Sequence, residues 1–230
     1  MTASVAPVTF KGWPDRALDF YDGLEADNSK AYWLDHKDVY ERDVKAPMEA
    51  LLAELAPEFG ETTMFRPYRD TRFSRDKSPY KTAIAAMIGD GYVQLSAHGL
   101  MAGAGMYHMA PDQLERYRAA VAADGPGRRL QGVVDTLRAG RLEVAAMETL
   151  KTAPRGYAKD HPRVELLRHK GLVAMKTWPA ASWLGTAGAK KRVVEVFHAT
   201  APLLAWLQRH VGPSSESGDA EQSGRRRARR

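Results

Sequence analysis

Arginine, lysine and carboxylate side chains crowd one stretch of this chain. In FRPYRDTRFSRDKSPYKT, Phe65 to Thr82, the residues Arg66, Arg69, Arg72, Arg75, Lys77 and Lys81 fall within sixteen positions. They are interleaved with Tyr68, Phe73 and Tyr80 and opposed only by Asp70 and Asp76, so residues 62–81 net +4. Guanidinium forks bind carboxylate or phosphate through paired N–H donors, and lysine adds a mobile point charge. The pattern suits a small anionic ligand bearing phosphate or carboxylate. In this reading Arg69, Arg72, Lys77 and Lys81, with Arg66 beside them, hold the anion; Asp70 and Asp76 orient the arginines; Tyr80 stacks or donates.

A second stretch, Lys151 to Lys170, also nets +4 and adds Arg155 and Lys170 to the ligand-binding set. Within it, Asp160 and His161 form the one pair suited to acid-base work, because an imidazole titrates near neutrality. The anion reading requires the two stretches to meet in space. Two other readings compete with it. Arg69 and Arg72 could pair with Asp70, Asp76 or the acidic first 61 residues and brace a long loop as a structural ion network. Alternatively, the surface could belong to a non-catalytic interaction module that contacts nucleic acid or an acidic partner.

Much other chemistry is absent from the text. The 230 residues contain no cysteine, which removes disulfides, thiolate metal sites and cysteine nucleophiles. There is no phosphate-binding GxxxxGK[ST], no dinucleotide GxGxxG between a strand and a helix, no GxSxG and no HExxH. Ser-x-x-Lys occurs at Ser74/Lys77 and Ser78/Lys81 without the companion elements of serine acyl-transfer enzymes. His161, Glu165 and His169 recur four apart, but their ends lie about 12 Å apart along a helix, too far for one ion. No metal site and no cofactor are expected, and whether the protein is an enzyme stays open.

The formal charge of +6 divides unevenly. Residues 1–61 carry −7, while residues 212–230, ending in RRRARR, carry +2. The Ser/Gly/Glu/Gln-rich tail reads as a disordered basic extension to a domain spanning 1–211. It serves solubility or, in the interaction-module reading, tethers nucleic acid. No apolar run approaches the ~18 residues of a membrane span, and the opening MTASVAPVTFKGW lacks signal-peptide order. A cytoplasmic protein without membrane contact is expected, of open oligomeric state.

The elements that must position these residues follow from periodicity. A short helix is expected over about Pro14 to Leu24. From Asn28, read as an N-cap, Tyr32, His36, Tyr40, Val44, Met48 and Leu52 recur every four residues and predict a long helix with a kink or break at Pro47. Met64 to Met109 reads as an antiparallel meander, with turns at Gly89-Asp90-Gly91 and Gly99 and with the 70–81 loop entering it. Helices are predicted at Pro111 to Ala123 and Gly127 to Ala139, strand and loop over 141–160, and a short helix opening at Asp160-His161-Pro162. GLVAMKTW reads as a strand, and Lys190 to Val211 as a closing helix in two pieces around Pro202. The fold class is α+β: one domain with a central, mostly antiparallel sheet (about 64–109 plus a strand near 171–178) packed by N-terminal and C-terminal helices.

Three motifs in order, DNSKAYWLDHKDVYERDVKAPM, RPYRDTRFSRDKSPYKT and APRGYAKDHPRVELLRHK, resemble the domain-of-unknown-function 2461 family. The likeness covers about Phe10 to Val211. It implies one α+β domain and brings no established activity, cofactor or partner. Its motif positions are Asn28, Trp33, Arg66, Arg69, Asp70, Arg72, Phe73, Asp76, Lys77, Pro79, Tyr80, Lys81, Arg155, Gly156, Asp160, His161 and Lys170. Pro67 stands where an aliphatic strand residue is expected, which argues against regular pairing there.

Overall fold

The computed structural model describes residues 9–72 and 75–215. Phe73 and the basic tail from 216 onward lie outside the described residues. The fold is α+β. Among the described residues an open antiparallel sheet runs in the order β1 (Thr62–Met64), β2 (Ala83–Ile88), β3 (Gly91–Ser96), β4 (Gly99–Met106), β6 (Leu172–Pro179), β5 (Glu143–Ala145). The expected meander and its late strand are thus present. The chain divides into two compact units, one within Met1–Gly103 and Lys176–His198, the other within Ala104–Met175 and Ala199–Arg230.

In the first unit, helix α1 (Asp15–Ala26) starts after Pro14 and buries Ala17, Phe20, Tyr21 and Leu24. The predicted long helix is segmented into α2 (Lys30–Asp35), α3 (Lys37–Val39), a π-helical turn over Tyr40–Lys45 and α4 (Ala46–Phe59). Pro47 has no N–H and crowds the carbonyl four residues back. Immediately before it the helix widens, and the Ala46 N–H reaches the Glu41 carbonyl, five residues back. A wide turn suits the strict four-residue spacing: Tyr40, Val44 and Met48 are all buried.

Register sorts β2 and β3 into two faces. Ile84 pairs with Leu95 and Ala86 with Val93, all buried, while Ile88 pairs with Gly91. At Gly91 a Cβ would come within 2.6 Å of the Phe197 ring, so the glycine admits a helix against this inner face. Gly89, at φ +53, makes the expected turn. The opposite face carries Ala83, Ala85 and Met87 on β2 across from Ser96, Gln94 and Tyr92 on β3.

In the second unit, α5 (Pro111–Ala122), α6 (Asp124–Ala139) and α7 (Val164–Arg168) surround a core that includes Tyr117, Val121, Leu130, Val134 and Leu167. Tyr117 donates to the Leu166 carbonyl (3.0 Å), and burial raises its pKa. The expected tail does not detach at 212. Gln113 and Arg116 donate to the carbonyls of Gly212, Val211 and Pro213, and Ser214 and Ser215 donate to the Asp112 carboxylate at 2.8 and 2.9 Å. The chain is therefore tied down through Ser215.

The closing helix, α8 (Gly188–His210), is continuous with Pro202 inside it, not two pieces. A mid-helix proline costs about 3 kcal/mol. Burial of Val193, Val196 and Phe197 before it, and of Leu203, Trp206 and Leu207 after it, offsets that cost.

Candidate functional site

The basic loop closes on itself through its backbone. Beyond β1, the Phe65 N–H still reaches the Ala85 carbonyl (2.9 Å). Pro67 has no donor, and regular pairing gives way to a single bridge between Tyr68 and Tyr80. This bridge is flanked by Arg69 N–H to Pro79 O (2.9 Å) and Lys81 N–H to Pro67 O (2.8 Å). Those bonds turn the Tyr80 amide and carbonyl to the other side, where Asn28 takes both: its Nδ2 donates to Tyr80 O (3.1 Å) and its Oδ1 accepts from Tyr80 N (3.0 Å). The chain's one asparagine is therefore a side-chain surrogate for a neighbouring strand. It is not the helix cap its position suggested. Ser29 caps α2, accepting from the Tyr32 N–H (3.1 Å).

Tyr80 is held by its ring as well. It lies parallel to Trp33 at 4.4 Å between centroids, and Tyr68 and Tyr40 pack on the same indole. Tyr80 is buried, and burial raises its pKa. The ring expected to face a ligand is thus part of the loop's foundation.

At the exposed end, Asp76 accepts from the Ser78 hydroxyl (2.6 Å) and backbone N–H (2.9 Å) and forms an ion pair with Arg69. These bonds, the Ser78 pair foremost, hold its carboxyl well below the usual range. Asp70 takes the Arg72 guanidinium through Nε (2.9 Å) and Nη2 (2.6 Å), which likewise lowers its pKa. Lys77 donates to the Thr71 carbonyl (2.9 Å). Asp70 and Asp76 are thus paired with Arg72 and Arg69.

Lys81 is placed differently. It lines an open cleft of about 390 Å³ on the outer face of β2 and β3, floored by Ala83 and Ala85 and walled by Phe65, Arg69, Thr82, Tyr92 and Gln94. The two alanines lack the volume to fill the space between longer side chains. Lys81 Nζ stands 5.4 Å from the Phe65 ring centroid. Burial, and then the nearby Arg66 charge, push its pKa down. Among the described residues, no carboxylate forms an ion pair with Lys81, whereas the Arg66 charge is felt by the Asp70 carboxyl. The sequence reading missed Phe65, Thr82, Ala83, Ala85, Tyr92 and Gln94. The available signal was the alternation in β2 and β3, which puts small residues opposite long ones on the face away from the core.

The second basic segment lies in the other compact unit. Lys170 pairs with Glu148 (2.8 Å), and Arg155 and Asp160 are exposed. Helix α7 begins at Val164, so Asp160 is not its cap. The expected acid-base pair is not hydrogen-bonded. Instead His161 Nδ1 accepts from the Arg163 backbone N–H (3.0 Å), which orients the ring. Of the spaced trio, Glu165 pairs with Arg138 (2.5 Å) and His169 is buried with Nδ1 unbonded. No group of three metal-ligating side chains occurs among the described residues.

Fold and cleft together define an α+β protein with a cationic depression on the outer face of β2 and β3. The chain belongs to the family described as "Conserved hypothetical protein (DUF2461)", whose model matches residues 16–206. Comparison with curated proteins and with solved structures gave no match. No helix among the described residues is long and apolar enough to cross a membrane.

Proposed function

We propose that this is a cytoplasmic binding protein for a small phosphate- or carboxylate-bearing anion, held in the outer-face cleft by Lys81 and the cleft-facing Arg69, with the Arg66 charge near Lys81 adding to the local positive field. The observation that carries the reading is Lys81: a half-buried ammonium beside a second cation, without an acidic partner among the described residues. Desolvating a charge costs free energy unless a counter-ion compensates, and a bound anion is such a counter-ion. Arg72, Asp70 and Asp76 brace the loop, as do Lys77 and Tyr80. Arg155, Asp160, His161 and Lys170 have no part in this cleft-based reading.

Calorimetric titration with inorganic phosphate and with succinate tests it, using wild type and Lys81→Met. Saturable binding to the wild type, lost in the variant at an unchanged melting temperature, supports the reading. Equal heats for the two proteins contradict it.

A further inference from the structure

The cleft presents more than charge. Phe65 from the loop and Tyr92 from β3 have ring centroids 6.4 Å apart, with planes tilted 41°. Both line the same depression as Lys81. Phe65 is 39% exposed, an aromatic ring kept at the surface rather than in the core. A bare phosphate needs donors and gains nothing from aromatic walls, whereas a planar ring gains stacking area from both. The alanine floor leaves a flat strip of sheet beneath them.

Gln94 adds direction. Its Oε1 accepts from the Tyr92 hydroxyl at 2.7 Å, which commits the carbonyl end of the amide and leaves Nε2 as the donor end. A donor on the wall favours a ring whose edge carries acceptor atoms, as heteroaromatic bases do and plain aryl groups do not. The volume of about 390 Å³ lies toward the small end of ligand sites, which fits a mononucleotide better than a dinucleotide.

We propose that the anion held by Lys81 is the phosphate of a nucleoside monophosphate, whose base lies against Phe65 and Tyr92 and accepts a hydrogen bond from Gln94. This rests on the anion reading of the same cleft. The lysine supplies affinity for the phosphate, and the aromatic walls and amide supply selection for the base.

Calorimetry of the full chain with AMP, adenosine and ribose 5-phosphate at fixed ionic strength separates the two claims. AMP is expected to bind about tenfold more tightly than ribose 5-phosphate, the order of one base-aromatic stack. Tyr92→Leu is expected to bring AMP down to the ribose 5-phosphate level without weakening the sugar phosphate. Phe65→Leu, at an exposed loop position, repeats the test should the strand variant fail to fold. Equal affinities for AMP and ribose 5-phosphate in the wild type overturn the base assignment and leave the anion reading standing. Equal affinities for AMP and adenosine, unchanged in Lys81→Met, overturn the anion reading and with it this proposal. No binding of any of the three overturns both.

Discussion

Residues 62–81 and 151–170 carry the same formal charge, +4 each, yet they place that charge in different physical circumstances. In the second segment, Arg163 is buried with its guanidinium on the carbonyls of Val121 (2.7 Å) and Ala122 (3.0 Å) at the end of α5. Arg168 donates to the Leu150 carbonyl, and Lys170 pairs with Glu148. Its remaining cations, Lys151, Arg155 and Lys159, are exposed, where water solvates them. In the first segment, Arg69 and Arg72 have carboxylates, but Lys81 is half-buried without one. Charge count does not distinguish the regions. What differs is whether a partly buried cation has been given a partner.

The largest effect is expected at Arg163. Arg163→Ala removes a buried cation from a helix C-terminus and strands two carbonyls, at a cost of about 3 kcal/mol. Denaturant unfolding should show a midpoint shift of that size. A loss below about 1 kcal/mol would mean that the second segment does not depend on its buried arginine.

Asn28→Ala comes next. Losing both bonds to Tyr80 should cost about 2 kcal/mol and also weaken phosphate binding, because Lys81 follows Tyr80 directly. If stability falls while binding is untouched, the loop base and the cleft are uncoupled.

His169 gives a smaller, pH-dependent effect. Burial pushes its imidazole below the ordinary 6.5, although Glu165 partly opposes the shift. Below about pH 6.5 the unfolded chain then binds a proton more readily than the folded one. The histidine's contribution is therefore fully favourable above that pH and lost on acidification. Thermal melts from pH 8 to 5 should fall more steeply for wild type than for His169→Leu; parallel profiles would remove His169 from the account.

The smallest effect is at Lys170. Lys170→Ala breaks an exposed pair and should change stability by about 0.5 kcal/mol or less. A larger loss would show the Glu148 pair to be a brace comparable to Arg69–Asp76.

Local chemistry made much of the fold legible. Gly89-Asp90-Gly91 and Gly99 marked the meander turns, and Pro111 with Asp112 marked the start of α5. Asn28 was misread because its partner lies 52 residues away, and nothing near an asparagine distinguishes a helix cap from a strand surrogate. Pro202 suggested a break because its local penalty is visible, whereas the burial of Leu203 and Trp206 that offsets it is tertiary. For the site, the basic loop stood out by composition. The cleft did not, since Tyr92 and Gln94 become neighbours of Lys81 only through strand pairing and the loop's closure at Tyr68 and Tyr80.

The proposed anion binding depends on Lys81 being a half-buried cation without a carboxylate, and Lys81 can be titrated directly. Nuclear magnetic resonance of side-chain-labelled lysine, assigned with Lys81→Met, would follow its ionisation with and without inorganic phosphate. Lys81 should titrate below the ordinary 10.5 in the free protein and rise when phosphate binds the charged form. A free-protein value at or above 10.5 that phosphate does not move would contradict it.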